Sequence, residues 1–179
     1  GLHEGDTALL CMPLDFIAGK MMVVRALERG LKLLSVEPSS HPLSSTNMAS
    51  IGDPPSIDFA AMVPLQVWNT LQVREEREAL CRIRHLIIGG GAISQALEQE
   101  LRTLPINVWS SYGMTETLSH IALRRITEDY YTPLPGITLS QDQDGCLIID
   151  APHLCPETLF TNDIARFTDD KSFQIIGRD

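Results

Sequence analysis

An α/β fold, a doubly wound parallel-sheet subdomain followed by part of a small antiparallel β subdomain, is predicted by three observations. Strand and helix patterns alternate through residues 1–131, the order that builds a parallel sheet. Short alternating runs separated by turn residues fill residues 132–179. The length of 179 residues suits one sizeable core, or a compact domain with a piece of a second.

The elements follow in order. Thr7 to Pro13 reads as a buried strand. Ala18 to Arg29 has helical spacing at Met21, Val24 and Leu27, and Gly30 closes that helix. Leu31 to Val36 is a second strand, which predicts a right-handed crossover. Residues 37–56, rich in Pro, Ser and Asn, exceed the roughly 12–15 residues usual for an unstructured connection and are expected to form a mobile loop. Then come a short strand at Ala60 to Pro64, helices at Leu65 to Leu71 and Glu75 to Cys81, and a strand at His85 to Ile88. Ser94 caps a helix reaching about Thr103, and Ile106 to Ser110 is a further strand. Pro133 and Pro135 break the helical texture, so a boundary is expected near residue 132. Beyond it, strands are expected at Gly136 to Leu139, Cys146 to Asp150, Leu159 to Thr161, Ile164 to Phe167 and Phe173 to Ile176. Asp144-Gly145 and Asp169-Asp170 supply turns between them.

Composition narrows the function classes. With 44% hydrophobic and 21% charged residues and no apolar run near the ~20 residues of a membrane span, a globular protein without a spanning helix is expected. A net charge of -9 opposes broad binding to nucleic acid, so any phosphate must be held locally. The four cysteines (Cys11, Cys81, Cys146, Cys155) are far apart and none is spaced for zinc, which predicts reduced thiols in a cytoplasmic protein. No targeting segment is visible.

Two segments carry candidate chemistry. Gly89-Gly90-Gly91-Ala92 lies between a strand and a helix, where backbone can approach a ligand and N–H groups can face an anion. A dinucleotide-binding turn fits poorly: Ser94 stands at the final glycine position, and Ser111 stands where an acid would hold a ribose. A plain tight turn remains the other reading. The run Ser110 to Thr117 begins where a parallel strand ends, the place where open α/β sheets bind ligands. Within it, Tyr112 can stack on a base, Gly113 allows close approach, the Thr115 hydroxyl can donate to a phosphate, and Glu116 can hold Mg²⁺. The competing reading is a capped helix start with Thr115 and Glu116 in its first turn.

Tyr112-Gly113-Met114-Thr115-Glu116-Thr117 resembles the adenine- and phosphate-contacting motif of the acyl-adenylate-forming superfamily, which includes acyl-CoA synthetases, luciferases and peptide-synthetase adenylation domains. Thr161-Asn162-Asp163 resembles that superfamily's Thr-Gly-Asp element, and Gly177-Arg178-Asp179 its Gly-Arg-x-Asp hinge. The resemblance implies a nucleotide site made of Gly90, Gly91, Ala92, Ser111, Tyr112, Gly113, Met114, Thr115, Asp163 and Arg178. Asp163 would hold the ribose hydroxyls, Thr115 and Glu116 would act in catalysis, and Glu116 would bind the metal. Taken singly, Asp163 could be only a turn acid and Arg178 a surface charge.

A narrower resemblance is to the o-succinylbenzoate-CoA ligase family of menaquinone biosynthesis. It rests on Met12-Pro13-Leu14, Ile17-Ala18-Gly19-Lys20, the segment Ala60 to Val67, and Ser119-His120. It implies that Arg25 and Ser119, with Lys20 and His120 as weaker candidates, meet the carboxylates of a small-molecule acid. Arg25, near Glu28 and Arg29, could equally be a solvated helix face.

The implied reaction consumes ATP with Mg²⁺ to form an acyl-AMP, and CoA then displaces AMP. Such chemistry needs preoriented donors and a metal more than a nucleophile from the protein. A ligase for another acyl or aryl acid and a noncatalytic nucleotide-binding module are the other readings. The superfamily's upstream phosphate loop with its Lys and its C-terminal domain find no match in the 179 residues, so an internal piece of a longer protein is expected. On that expectation the isolated chain binds an adenylate weakly and does not turn over. A pyrophosphate-release assay with ATP and a carboxylic acid should stay at background, and detectable release would contradict this.

Overall fold

Residues 1–168 and 171–178 are described in the computed structural model of the protein. The predicted turn at Asp169-Asp170 and the last hinge residue, Asp179, lie outside the described residues. The chain forms two compact units, Gly1–Ser110 and Ser111–Asp179.

The first unit contains β1 (Thr7–Leu10), α1 (Ile17–Arg29), β2 (Lys32–Ser35), α2 (Ser45–Ser50), β3 (Ile57–Met62), α3 (Pro64–Gln72), α4 (Arg74–Leu80), β4 (Ile83–Ile88), α5 (Gln95–Leu101) and the start of β5 (Asn107–Gly113). Its strands pair in parallel. β1 lies between β2 and β3, with Ala8 opposite Leu33 on one side and Phe59 on the other; β4 follows β3, and β5 follows β4. The chain therefore steps outward from β1 to β2 and returns across β1 to β3, the strand-order reversal at which open α/β sheets form a crevice. In this unit the reversal is bridged by the buried side chain of Gln66. Its amide donates to Cys11 O at 3.1 Å and Ser39 O at 2.9 Å, and its oxygen accepts from Val63 N at 3.2 Å. A single amide thereby ties the carboxyl ends of β1 and β3.

α1 forms where expected and closes at Gly30, whose N–H bonds to Ala26 O. The face it buries is not the one its larger residues suggest. Gly19, Met22 and Ala26 are buried, whereas Val24 is 49% and Leu27 80% exposed. The reason is steric. A Cβ on Gly19 would stand 2.2 Å from Pro13 O, so the helix meets the turn after β1 through its smallest residue, which fixes its rotation. Met22 and Ala26 then pack with Ala8, Leu10, Met12, Leu31, Phe59 and Ala61.

Residues 37–56, expected to be a loop, contain α2. Ser44 caps it by accepting from Asn47 N at 3.4 Å, and the buried Asn47 amide donates to Glu37 O at 3.2 Å and Pro42 O at 3.1 Å. His41 Nδ1 lies 3.1 Å from both carboxylate oxygens of the buried Glu76. The polar residues that read as loop composition are the ones that satisfy the backbone of a packed connection.

The second unit holds the end of β5, β6 (His120–Arg125), β7 (Thr132–Pro133), β8 (Thr138–Gln141), β9 (Cys146–Asp150), β10 (Leu159–Phe167) and β11 (Phe173–Arg178). The last four make an antiparallel sheet in the order β11-β10-β9-β8. The two runs expected at 159–161 and 164–167 are one strand whose pairing with β9 slips between Phe160 and Ile164, so Thr161-Asn162-Asp163 forms a bulge. The second unit begins at Ser111, upstream of the change in composition near residue 132. Ile121 and Ala122 are part of its core with Leu147, Ile149, Ala165 and Phe173, and Tyr112 and Tyr131 pack against that core.

Among the described residues no helix is long and apolar enough to cross a membrane. Gly19→Ala should destabilise the first unit by about 1–3 kcal/mol, because the added methyl meets backbone that cannot rotate away. Chemical denaturation is the check; an unchanged midpoint would show that α1 can shift freely.

Candidate nucleotide site

Asp163 projects from the bulge in β10 and is only 8% exposed. Bulges re-aim side chains, and this one is fixed by the Thr161 hydroxyl, which donates to Leu147 O at 2.8 Å and accepts from Asp163 N at 3.1 Å. A buried carboxylate requires partners, and Asp163 has two of different character. Tyr112 Oη donates to its Oδ2 at 2.7 Å, and Arg178 Nε donates to its Oδ1 at 2.8 Å. The Arg178 side chain is 75% exposed, so water screens that ion pair, and the phenol is the more sheltered partner. Tyr112, Asp163 and Arg178, one from each expected motif, therefore form one cluster.

The Tyr112 ring meets Phe173 edge-on at 5.6 Å and Tyr131 at 6.2 Å. Burial, and then the bond to Asp163 and its negative charge, push the phenol above its ordinary range. Ring and hydroxyl are thus both held before any ligand binds.

β5 extends through Gly113, so the competing reading of a capped helix start at Thr115 and Glu116 gives way to a tight turn leading into β6. Gly113 permits it. A Cβ there would lie 2.2 Å from Ser119 O and 2.6 Å from the His120 Cα, so only glycine lets the strand pass this close to the returning chain. Thr117, 1% exposed, stands at the centre of the turn: its Oγ1 is 3.1 Å from both Met114 N and Met114 O and 2.8 Å from Ser119 O. Leu118 follows with a left-handed φ of 61°. Thr115 and Glu116 sit exposed at the tip. Beside them Ser119 Oγ is 3.2 Å from His120 Nδ1. Thr117 carried no assigned role in the sequence reading, because a threonine after Thr-Glu looks like any polar turn residue; only its burial shows what it does.

In the first unit, Gly90 has a left-handed φ of 77°, and Gly90, Gly91 and Ala92 are exposed between β4 and α5, which Ser94 caps by accepting from Leu97 N at 3.2 Å. Lys20 is exposed on α1. Arg25 is half-buried, with Nη1 3.8 Å from Met22 Sδ, and burial lowers its pKa. Among the described residues no group of three or more His, Cys, Asp or Glu side chains could hold a metal. Mg²⁺ does not need one, since it keeps waters and substrate phosphates and takes one or two carboxylates from protein. An exposed Glu116 beside the Thr115 hydroxyl fits that demand.

A profile described as AMP-binding enzyme matches residues 1–156. The chain belongs to the AMP-binding enzyme family. The match includes Tyr112 to Thr117 and ends before Asp163, which a hydrogen bond joins to Tyr112. Similar curated proteins are the 2-succinylbenzoate–CoA ligases of Geobacillus kaustophilus, 30% identical over 122 residues, and Bacillus mycoides, 25% identical over 156. The alignments cover 68% and 83% of this chain but only 24% and 31% of those proteins. The crystal structure of an acyl-CoA synthetase (AMP-forming)/AMP-acid ligase II-like protein from Dyadobacter fermentans is similar at TM-score 0.87 and 35% identity, over 99% of this chain and 50% of that one. The o-succinylbenzoate coenzyme A synthetase of Bacillus subtilis, solved with ATP and magnesium ion, shares the fold at TM-score 0.78 and 20% identity, over 99% of this chain and 42% of that one. The α/β class with a parallel sheet and a following antiparallel sheet is thereby established for this chain.

The upward shift at Tyr112 carries a sign. The folded phenol keeps its proton above the pH at which the unfolded one loses it, so its contribution is complete below about pH 10 and is lost as pH rises through the folded value. Stability should therefore fall above about pH 10, and Tyr112→Phe should flatten that fall. Denaturant titrations between about pH 9 and 11 would test it, and parallel profiles for both proteins would count against the assignment.

Proposed function

We propose that the chain is part of an ATP-dependent, AMP-forming carboxylate-CoA ligase, and that the acid is o-succinylbenzoate. The observation that carries the reading is the 2.7 Å bond between Tyr112 and Asp163, 51 positions apart, which gathers the base-side and ribose-side candidates in one cluster. In this reading Tyr112 packs on adenine. A carboxylate has about four lone-pair positions, so Asp163 can accept from ribose hydroxyls while keeping Tyr112 or Arg178. Ser111, Gly113 and Met114 lend backbone to the nucleotide.

Thr115 donates to a phosphate oxygen, and Glu116 would hold Mg²⁺, which would offset charge on the phosphates. The substrate carboxylate attacks the α-phosphorus, pyrophosphate leaves, and the CoA thiolate then displaces AMP from the acyl carbonyl. Charge grows on oxygen in both halves, so fixed donors such as Thr115 contribute through preorganisation. For the acid's carboxylates, Arg25 and Lys20 are candidate cations, and Ser119 and His120 are candidate donors. Burial lowers the pKa of Arg25, and a partly buried guanidinium suits recognition of an anion. The free thiols of Cys11, Cys81, Cys146 and Cys155 are consistent with a reducing, cytoplasmic setting.

The test is ATP–pyrophosphate exchange by the full-length protein with o-succinylbenzoate and with monocarboxylic acids. Asp163→Ala should raise the KM for ATP by roughly tenfold or more, as expected for losing charge-assisted hydrogen bonds. Arg25→Ala and Ser119→Ala should impair the dicarboxylate selectively. Exchange with monocarboxylates only would replace the substrate, and no exchange with any acid would leave a noncatalytic nucleotide-binding module.

A further inference from the structure

Thr115 and Glu116, proposed for the phosphate side, and Ser119, proposed for the acid side, lie on one six-residue turn from Met114 to Ser119, and the reaction needs their separation to be right. The path of that turn is strained. Leu118, a residue with a Cβ and a branched side chain, holds φ at 61°, a conformation such residues adopt only when the surroundings impose it. Its side chain is 47% exposed, so packing of the leucine does not impose it.

The restraint comes from both sides of Leu118. The Thr117 hydroxyl contacts Met114 N, Met114 O and Ser119 O, spanning the turn end to end. Ser119 N donates to Thr117 O at 2.7 Å, and Leu118 N to Thr115 O at 3.0 Å. The hydroxyl can accept from Met114 N while donating its single proton to one of the two carbonyls, Ser119 O being the nearer. At 1% exposure no water replaces these bonds readily.

We infer that Thr117 is a positioning residue that sets the distance between the phosphate-side residues Thr115 and Glu116 and the acid-side residue Ser119, an inference that rests on the ligase reading above. It touches neither substrate. Losing its hydroxyl lets the strained backbone at Leu118 relax and shifts one side of the reacting pair against the other. Misplacement by about 1 Å can cost roughly a hundredfold in rate while each substrate still binds.

The experiment compares Thr117→Val and Thr117→Ser in the full-length protein by ATP–pyrophosphate exchange and thermal unfolding. Valine keeps the shape without the hydroxyl, and serine keeps the hydroxyl without the methyl. Thr117→Val should lower kcat by about tenfold to a hundredfold, with KM for ATP and for the acid each within about threefold of wild type. Thr117→Ser should keep kcat within about threefold. Wild-type kcat in Thr117→Val, or a tenfold loss in Thr117→Ser, would overturn the inference. The serine variant decides the matter even if the valine variant does not fold, because a role in packing alone would fail with the methyl and not with the oxygen. An inactive wild-type enzyme would instead refute the ligase reading.

Discussion

A carboxylate that is nearly out of water has to be answered by donors, and in the second unit the carboxylate of Asp163 organises what surrounds it. Its partners come from β5 and β11, while the residue itself sits on the bulge of β10. Three separate strand segments are thus tied by one charge. Removing any of the donors leaves the charge under-satisfied, so the cluster holds or fails together. Because Arg178 is mostly exposed and Tyr112 is not, the two bonds differ in how readily water or a ligand hydroxyl can substitute for them.

The same unit shows how rigidity reaches the turn that follows Tyr112. The ring is held by Phe173 and Tyr131, the next residue must be glycine for the chain to pass Ser119, and Thr117 closes the loop beyond. Each device acts on a neighbouring stretch of backbone. Thr115 and Glu116 are exposed at the tip, but the backbone beneath them is fixed. A preorganised tip over a buried base is the arrangement that electrostatic catalysis asks of a protein.

The first unit solves a different problem with buried amides. Gln66 joins the ends of β1 and β3 at the strand-order reversal, and Asn47 satisfies the connection after β2. Parallel sheets leave polar backbone at their strand ends, and these buried side chains answer it. The Pro- and Ser-rich connection is consequently packed, although its composition is that of a loop.

Sequence by itself determined the alternation of strands and helices, the closing of α1 at Gly30, the Ser94 cap, the antiparallel character of the later strands and the family's central motif. Those are properties of periodicity, capping chemistry and short-range backbone preference, which neighbouring residues express without help. Tertiary structure decided the rest. It chose the Gly19, Met22 and Ala26 face of α1 over the more apolar one, because a backbone approach at Pro13 outranks side-chain hydrophobicity there. It carried β5 through Gly113 and brought Asp163 to Tyr112. Each of these depends on which distant atoms come within a few ångströms, a quantity that local residue order does not contain.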